Sequence, residues 1–404
     1  MAALLDALLL GAGYNAALVT VGAALLGFAA GASGSFLFMR KRALISDAVA
    51  HATLPGVGLA FLAMVALGGD GRNLLGLLAG SAVTAGLGLL AVEWMARRTR
   101  LSEDAAIGAV LSVFFGIGIV LLTVIQSLSA GRQAGLEDFL LGTTAGMLFQ
   151  DAVVIAVGGG LAVLATWALR RPMTVVAFDP AFAAAAGYDV RRIDLAMMGL
   201  VMAVTVIGLK VVGLVLIVAL LIIPAVTARF WTERSGHLIW IAGGVGCLSG
   251  YLGATISATA PALPTGPIVV LVAATLFTLS LLFAPARGIA AALWRHRRFQ
   301  HLVHRRQGLL ALARAEPIHD RLTLRVLVGE GLIRPDGVAT ETGRAQAAKI
   351  ARDEHRWEIA REIHQDAGLT GRYDGLTPIE TVFTPDEIAA FDARIGGPRP
   401  VEGA

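Results

Sequence analysis

Two ionisable side chains, Asp47 and His51, stand in an otherwise apolar stretch, Ser46-Asp47-Ala48-Val49-Ala50-His51. In a helix, a spacing of four puts both on one face, one turn apart. A carboxylate beside an imidazole suits first-row divalent ions such as Mn2+, Fe2+ and Zn2+. Pro55 follows four residues after His51 and has no N–H, so the His51 carbonyl lacks its usual helical donor. A carboxylate, an imidazole and a free carbonyl thus converge within one turn, and other groups or water must complete the shell of any ion. The same residues admit a plainer reading. Asp47 lies five residues after Arg42 and could be an early-turn carboxylate set against the helix dipole. His51 could be a hydrogen-bonded packing residue.

Other groups carry weaker signals. Leu221-Ile222-Ile223-Pro224 places a proline deep in an apolar run, which frees the carbonyl of Leu220 and could kink a helix. Lys210 reads as an interfacial anchor, and Glu93 and Asp151 as solvated groups near helix ends. No GxxxxGK[ST] phosphate loop, HExxH metalloprotease motif or hydrolase triad is present, so the chain reads as no enzyme. If it is ATP-driven, the ATPase is another chain. The single cysteine, Cys247, excludes an internal disulfide and a Cys-based zinc cluster.

The elements that hold these residues must be membrane helices. The chain is 56% hydrophobic and 15% charged, against about 25% charged for an ordinary soluble domain. Its mean hydropathy is +0.73. Residues 1–286 hold 15 Lys or Arg and 13 Asp or Glu, whereas 287–404 hold 18 and 16, so two regions of different character follow one another. Apolar runs of about 20 residues fall near 16–38, 48–68, 74–96, 105–127, 152–170, 193–208, 211–229, 238–260 and 266–286. The sixth is short, and Gly208-Leu209-Lys210 could be a re-entrant turn. The expected fold is all-α: a polytopic transmembrane helical bundle of eight or nine spans over 1–286, then a small α+β, winged-helix-like tail over 287–404.

Charge in the loops alternates. Arg40, Lys41, Arg42, Arg97, Arg98, Arg100, Arg170, Arg171, Arg191, Arg192, Arg229 and Arg234 fall on one side, and only Arg72, Arg132 and Lys210 on the other. The positive-inside rule then puts the N-terminus outside and the tail in the cytoplasm. Within the long loop 171–192, Asp179-Pro180 opens an alanine-rich segment that ends at Gly187, a good start and a good stop for a short surface helix. In the tail, 287–306 is rich in arginine and has no acidic residue. Amphipathic helices are expected near 300–315 and 318–330, then two short strands around Pro335-Asp336-Gly337, then a helix near 341–366.

The stretch Arg40–Leu62, RKRALISDAVAHATLPGVGLAFL, resembles the permeases of ABC-type manganese, zinc and iron importers. Further matches follow in order: Glu103–Gly108, Asp138–Gly142, Phe178-Asp179-Pro180 through Val190, and Leu209–Leu214 through Pro224-Ala225. The resemblance covers about residues 15–285. It implies a bacterial plasma (inner) membrane protein that pairs with a second permease, alike or paralogous. The pair would sit on two cytoplasmic ATPase subunits and receive metal from an extracytoplasmic binding protein. It also implies that Asp47 and His51 line the path of transported Mn2+, Zn2+ or Fe2+, with no cofactor held by the chain. Asp179, Pro180 and Gly187 would bound the coupling helix that docks into the ATPase.

The tail resembles an extension of some of these permeases that is itself like iron-dependent repressors. It departs from the pattern, with two helices before the wing and Thr381 where a histidine is expected. His355-Arg356-Trp357-Glu358 resembles the repressors' metal-site helix. Arg321 and Arg325 could face a DNA backbone, but a tail net charge of +2 (18 basic, 16 acidic) favours a solvated face, and no nucleic acid is expected. Three rival functions stay open at this point: a permease for an iron chelate or vitamin, a secondary metal carrier, and a membrane-anchored regulator.

Overall fold

The computed structural model describes residues 2–69, 71, 73–127, 147–260, 263–363 and 373–395, with Ala2, Ala3, Lys210, Val211, Leu214 and Val215 described by their backbone only. It divides into two compact units, Met1–Ala291 and Ala292–Ala404. The first unit opens with a short helix, α1 (Ala2–Leu8). Four long apolar helices follow: α2 (Tyr14–Met39), α3 (Leu44–Ala66), α4 (Leu74–Arg98) and α5 (Glu103–Ser127). Then come α6 (Phe149–Ala168), the short helices α7 (Arg170–Phe178) and α8 (Pro180–Ala185), and α9 (Val190–Trp231). α10 (Ser235–Ser257) and α11 (Thr265–Phe283) complete it.

Eight of the described helices are long and apolar enough to cross a membrane, and Leu216–Trp231 is a shorter apolar helix. The expected sixth and seventh spans are the two halves of α9. They are divided at Gly213 (φ 77°, ψ 170°) rather than at Gly208–Lys210. Only glycine occupies this backbone region readily. A Cβ placed on Gly208 would stand 2.7 Å from Cδ1 of Ile217. Residues nine apart in a continuous helix are separated by about 13.5 Å along the axis. The chain therefore turns back on itself at Gly213. α3 begins four residues earlier than expected, at Leu44.

Small residues let these helices approach closely, as lipid-embedded bundles require. A Cβ on Gly56 of α3 would meet the carbonyl oxygen of Gly80 on α4 at 2.1 Å, so the two backbones touch there. α2 is central, packing on α10, α9 and α6, while α3 is held by α4, α5 and α9.

The second unit contains most of α12 (Ile289–Ala313), then α13 (Arg321–Gly329), α14 (Glu341–Ile363), a 3-10 turn at Ile379–Thr381 and α15 (Pro385–Ile395). The two strands expected around Pro335-Asp336-Gly337 reduce to one antiparallel bridge, Ile333 with Ala339, and no strand occurs among the described residues. The turn itself forms: Val338 N–H donates to Asp336 Oδ1 at 3.1 Å, and Gly337 takes φ 85°. Thr340 then donates its backbone N–H to Leu332 and starts α14, leaving no length for a ladder. Two small cores hold this unit. One joins Leu309, Leu327, Leu332, Ile333 and Ala347, and the other joins Trp357, Ala360, Ile379, Phe383 and Phe391.

Candidate functional site

α3 starts without a side-chain cap; the N–H groups of Ile45 and Ser46 donate to the carbonyls of Arg42 and Ala43. Asp47 lies in its first turn and His51 one turn later. Apart from these two, every residue from Ile45 to Leu54 is buried. The side chains of Asp47 and His51 remain 38% and 19% exposed. The pair therefore occupies the strip of α3 that this chain's own bundle leaves open.

His51 Nε2 lies 3.4 Å from Asp47 Oδ1, too long for a good hydrogen bond. Two donors each about 2.1 Å from one ion stand roughly 3.0 Å apart at a right angle and roughly 3.4 Å apart at a tetrahedral one. The separation is that of two ligands able to share an ion. The other ring nitrogen, Nδ1, is buried and has no hydrogen-bond partner. Phe115 of α5 stands edge-on to the imidazole, with centroids 5.0 Å apart and planes at 87°. A Cβ on Gly118, one turn beyond Phe115, would lie 2.6 Å from Leu54 Cβ and 3.4 Å from Pro55 Cδ, so α5 presses on α3 at its proline. Among the described residues, no third His, Cys, Asp or Glu joins the pair to make a closed metal cluster. The arrangement can touch a cation but cannot enclose one.

The short surface helix forms where the sequence places it. Asp179 caps α8, accepting from Phe182 N–H at 2.9 Å, Pro180 takes the first turn, and Gly187 ends the segment at φ 86°. Amphipathic α7 precedes it and was not foreseen; its Met173 and Val176 are buried with Ala183 of α8 against Phe36 and Met197. Phe178 and Phe182 project outward, two large apolar side chains exposed on one short segment.

Two of the loop arginines do more than set the topology that the sequence implies. Arg40 forks onto Asp194, with Nε 3.1 Å from Oδ1 and Nη2 2.7 Å from Oδ2, and donates from Nη1 to the Val176 carbonyl at 3.3 Å. Arg42 pairs with Glu103 at 2.8 Å and lies 3.6 Å from Asp194. A lone acid at the start of a spanning run, Asp194, was the available signal. Glu93 and Asp151 are not solvated as expected. Both are buried, Glu93 against Arg97 and Asp151 accepting from the Leu148 N–H at 3.0 Å. The matching segment Asp138–Gly142 lies outside the described residues. Pro224 is inside the second half of α9, as expected.

In the second unit, Arg356 and Trp357 of the His355–Glu358 run serve packing, while His355 and Glu358 are exposed. Trp357 is fully buried and donates from Nε1 to the Thr377 carbonyl at 3.2 Å, and Arg356 forks onto Asp392. That fork holds the Asp392 carboxyl below its ordinary value. Burial pushes Glu354 up, but hydrogen bonds from Tyr373 and Arg306 outweigh it and the net shift is downward. Arg321 and Arg325 are exposed.

Residues 14–284 match the family model described as the ABC 3 transport family. The chain is 43% identical over 298 residues to the manganese transport system membrane protein MntC of Bacillus subtilis, covering 74% of this chain and 67% of that protein. It is 37% identical over 288 residues to the zinc transport system membrane protein TroC of Treponema pallidum, covering 70% and 94%. The solved structure of PsaBC from Streptococcus pneumoniae in complex with Fab superposes with a TM-score of 0.58 at 29% identity, over 67% of this chain and 91% of that one. With two-thirds of its length inside the family model, and with relatives of this identity, the chain belongs to the ABC 3 transport family.

Proposed function

We propose that this chain is the membrane permease subunit of an ATP-driven importer for a divalent transition metal ion. The observation that carries the reading is the Asp47–His51 pair: a carboxylate and an imidazole at ligand spacing, on the open strip of a spanning helix. Hydrocarbon is a costly neighbour for such groups. A second permease, alike or paralogous, faces that strip and closes the cation path between the two copies. The names of the relatives, manganese and zinc transport proteins, agree with this donor set.

The ion comes from an extracytoplasmic metal-binding protein, touches Asp47 and His51, and completes its shell with water and groups of the second permease. Two protein ligands hold it weakly enough for release, as conduction requires. Energy comes from separate ATPase subunits, which dock on the segment bounded by Asp179, Pro180 and Gly187, where Phe178 and Phe182 offer apolar anchors. The basic loops and the tail lie in the cytoplasm by the positive-inside rule. The tail resembles a repressor's winged helix in its order of helix, turn and helix. Among its described residues no group of three His, Cys, Asp or Glu gathers to hold a metal, and it tunes assembly or activity.

Metal uptake in cells carrying Asp47→Ala or His51→Ala, at matched membrane levels, tests the site. The expected result is a drop of about tenfold or more in each. Uptake unchanged in both would remove the assignment.

A further inference from the structure

We infer that Arg40, Arg42, Asp194 and Glu103 are positioning residues of transport. They form a linkage, centred on buried Asp194, that carries displacement of the α7–α8 surface segment to the first turn of α3. This rests on the reading that α7–α8 docks an ATPase and that Asp47 and His51 contact the metal.

The geometry is specific. Asp194, only 4% exposed, accepts the Arg40 fork and lies 3.6 Å from Nη1 of Arg42, so it faces both arginines of the α2–α3 connection. Between them Lys41 takes the left-handed conformation, φ 59°, an uncommon choice for a residue with a side chain. That turn places Arg40 and Arg42 on the same carboxylate. Arg40 spends its remaining nitrogen on the carbonyl of Val176, within the last turn of α7 and three residues before the cap of α8. Arg42 reaches Glu103 in the first turn of α5. Its carbonyl accepts the N–H of Ile45 and so begins α3, two residues before Asp47.

One connected set of charges therefore touches α7, α9, α5 and the origin of α3. A guanidinium fork has fixed geometry, unlike a flexible apolar contact, so it transmits position as well as holding it. Arg42 Nη1 is buried with no hydrogen-bond partner and sits 3.6 Å from Asp194. It has a second carboxylate within reach if the α2–α3 turn shifts by a few tenths of an ångström. The linkage thus has an unused contact that a displaced arrangement can close, which a purely static brace does not need.

The test uses the permease assembled with its ATPase subunits and binding protein in proteoliposomes. Mn2+ uptake and ATP hydrolysis are measured together in wild type, Asp194→Asn, Arg40→Lys and the exchanged pair Arg40→Asp/Asp194→Arg. The expected result is an intact complex that still hydrolyses ATP while Mn2+ moved per ATP falls about fivefold or more in both single variants. Partial recovery is expected in the exchanged pair. If Asp194→Asn does not reach the membrane, Arg40→Lys, which keeps the charge but loses the fork, carries the same measurement. An unchanged Mn2+-to-ATP ratio overturns the inference. So does a loss of uptake and hydrolysis in step with the amount of complex, which marks a structural brace only. Wild type that takes up none of Mn2+, Zn2+ and Fe2+ removes the importer reading and this inference together, whereas a failure confined to the variants' ratio leaves the importer reading standing.

Discussion

Phe115 of α5 stands edge-on to His51 of α3, with ring centroids 5.0 Å apart and planes at 87°. This contact fixes the imidazole plane, and the fixed plane keeps Nε2 facing Asp47. Groups that orient a ligand typically contribute about 10- to 100-fold to metal affinity or activity. Phe115→Ala should therefore weaken transport although Phe115 touches no ion. The expected change is a raised KM for metal uptake at an unchanged membrane level. A KM equal to that of wild type would show that α3 alone orients the ring.

Replacing the imidazole by a carboxylate tests what the pair recognises. His51→Asp gives two oxygen donors, which suit Mn2+ better than Zn2+ relative to a mixed nitrogen and oxygen set. Competition between Mn2+ and Zn2+ for uptake should move towards Mn2+. A shift towards Zn2+, or no shift with transport retained, would mean that His51 is not in contact with the ion.

Much of this was legible in the sequence, for identifiable reasons. Apolar runs long enough to span bilayers are set by length and composition alone, so the spans near 16–38 through 266–286 each have a counterpart. Asp47 and His51 were legible because a spacing of four fixes their relation within any helix. The surface helix was legible from Asp179-Pro180 and Gly187, whose roles are local. The Arg40–Asp194 fork was not, since 154 residues separate its members and no local rule joins them. Phe115 was hidden for the same reason: its role depends on how α5 packs at Gly118. The tail's strands were over-read, because a Pro-Asp-Gly turn specifies a reversal of the chain but not the length of the ladder beside it.

Gly213 offers a stability test of the turn between the halves of α9. Its φ of 77° and ψ of 170° lie where a side chain costs of order 1–3 kcal/mol. Gly213→Ala should lower the thermal midpoint of the purified permease and its level in the membrane. Gly199→Ala is the control, since Gly199 is helical and a Cβ there meets nothing within 4 Å. Equal midpoints for the two variants would show that the turn relaxes without cost.

The tail should loosen in acid. The Arg356 fork lowers the pKa of Asp392, and the hydrogen bonds from Tyr373 and Arg306 to Glu354 outweigh its burial, so both carboxyls are depressed in the folded protein. A carboxyl depressed on folding binds fewer protons folded than unfolded across the interval between its two pKa values, so stability falls as pH falls through that interval. The contribution is fully present above the ordinary carboxylate range, near pH 4, and is lost as pH drops through the lower folded values. Both residues brace the core around Trp357, Ile379, Phe383 and Phe391. Hydrogen exchange on the full-length permease should show the amides of α14 losing protection below about pH 4, while those of α2, whose helix contains no ionisable side chain but Tyr14, keep theirs. In Asp392→Asn the loss of protection should already be partly present at neutral pH, and the remaining acid dependence should be shallower. Protection of α14 that is flat across this range in wild type would show that these pairs contribute nothing to holding the tail together.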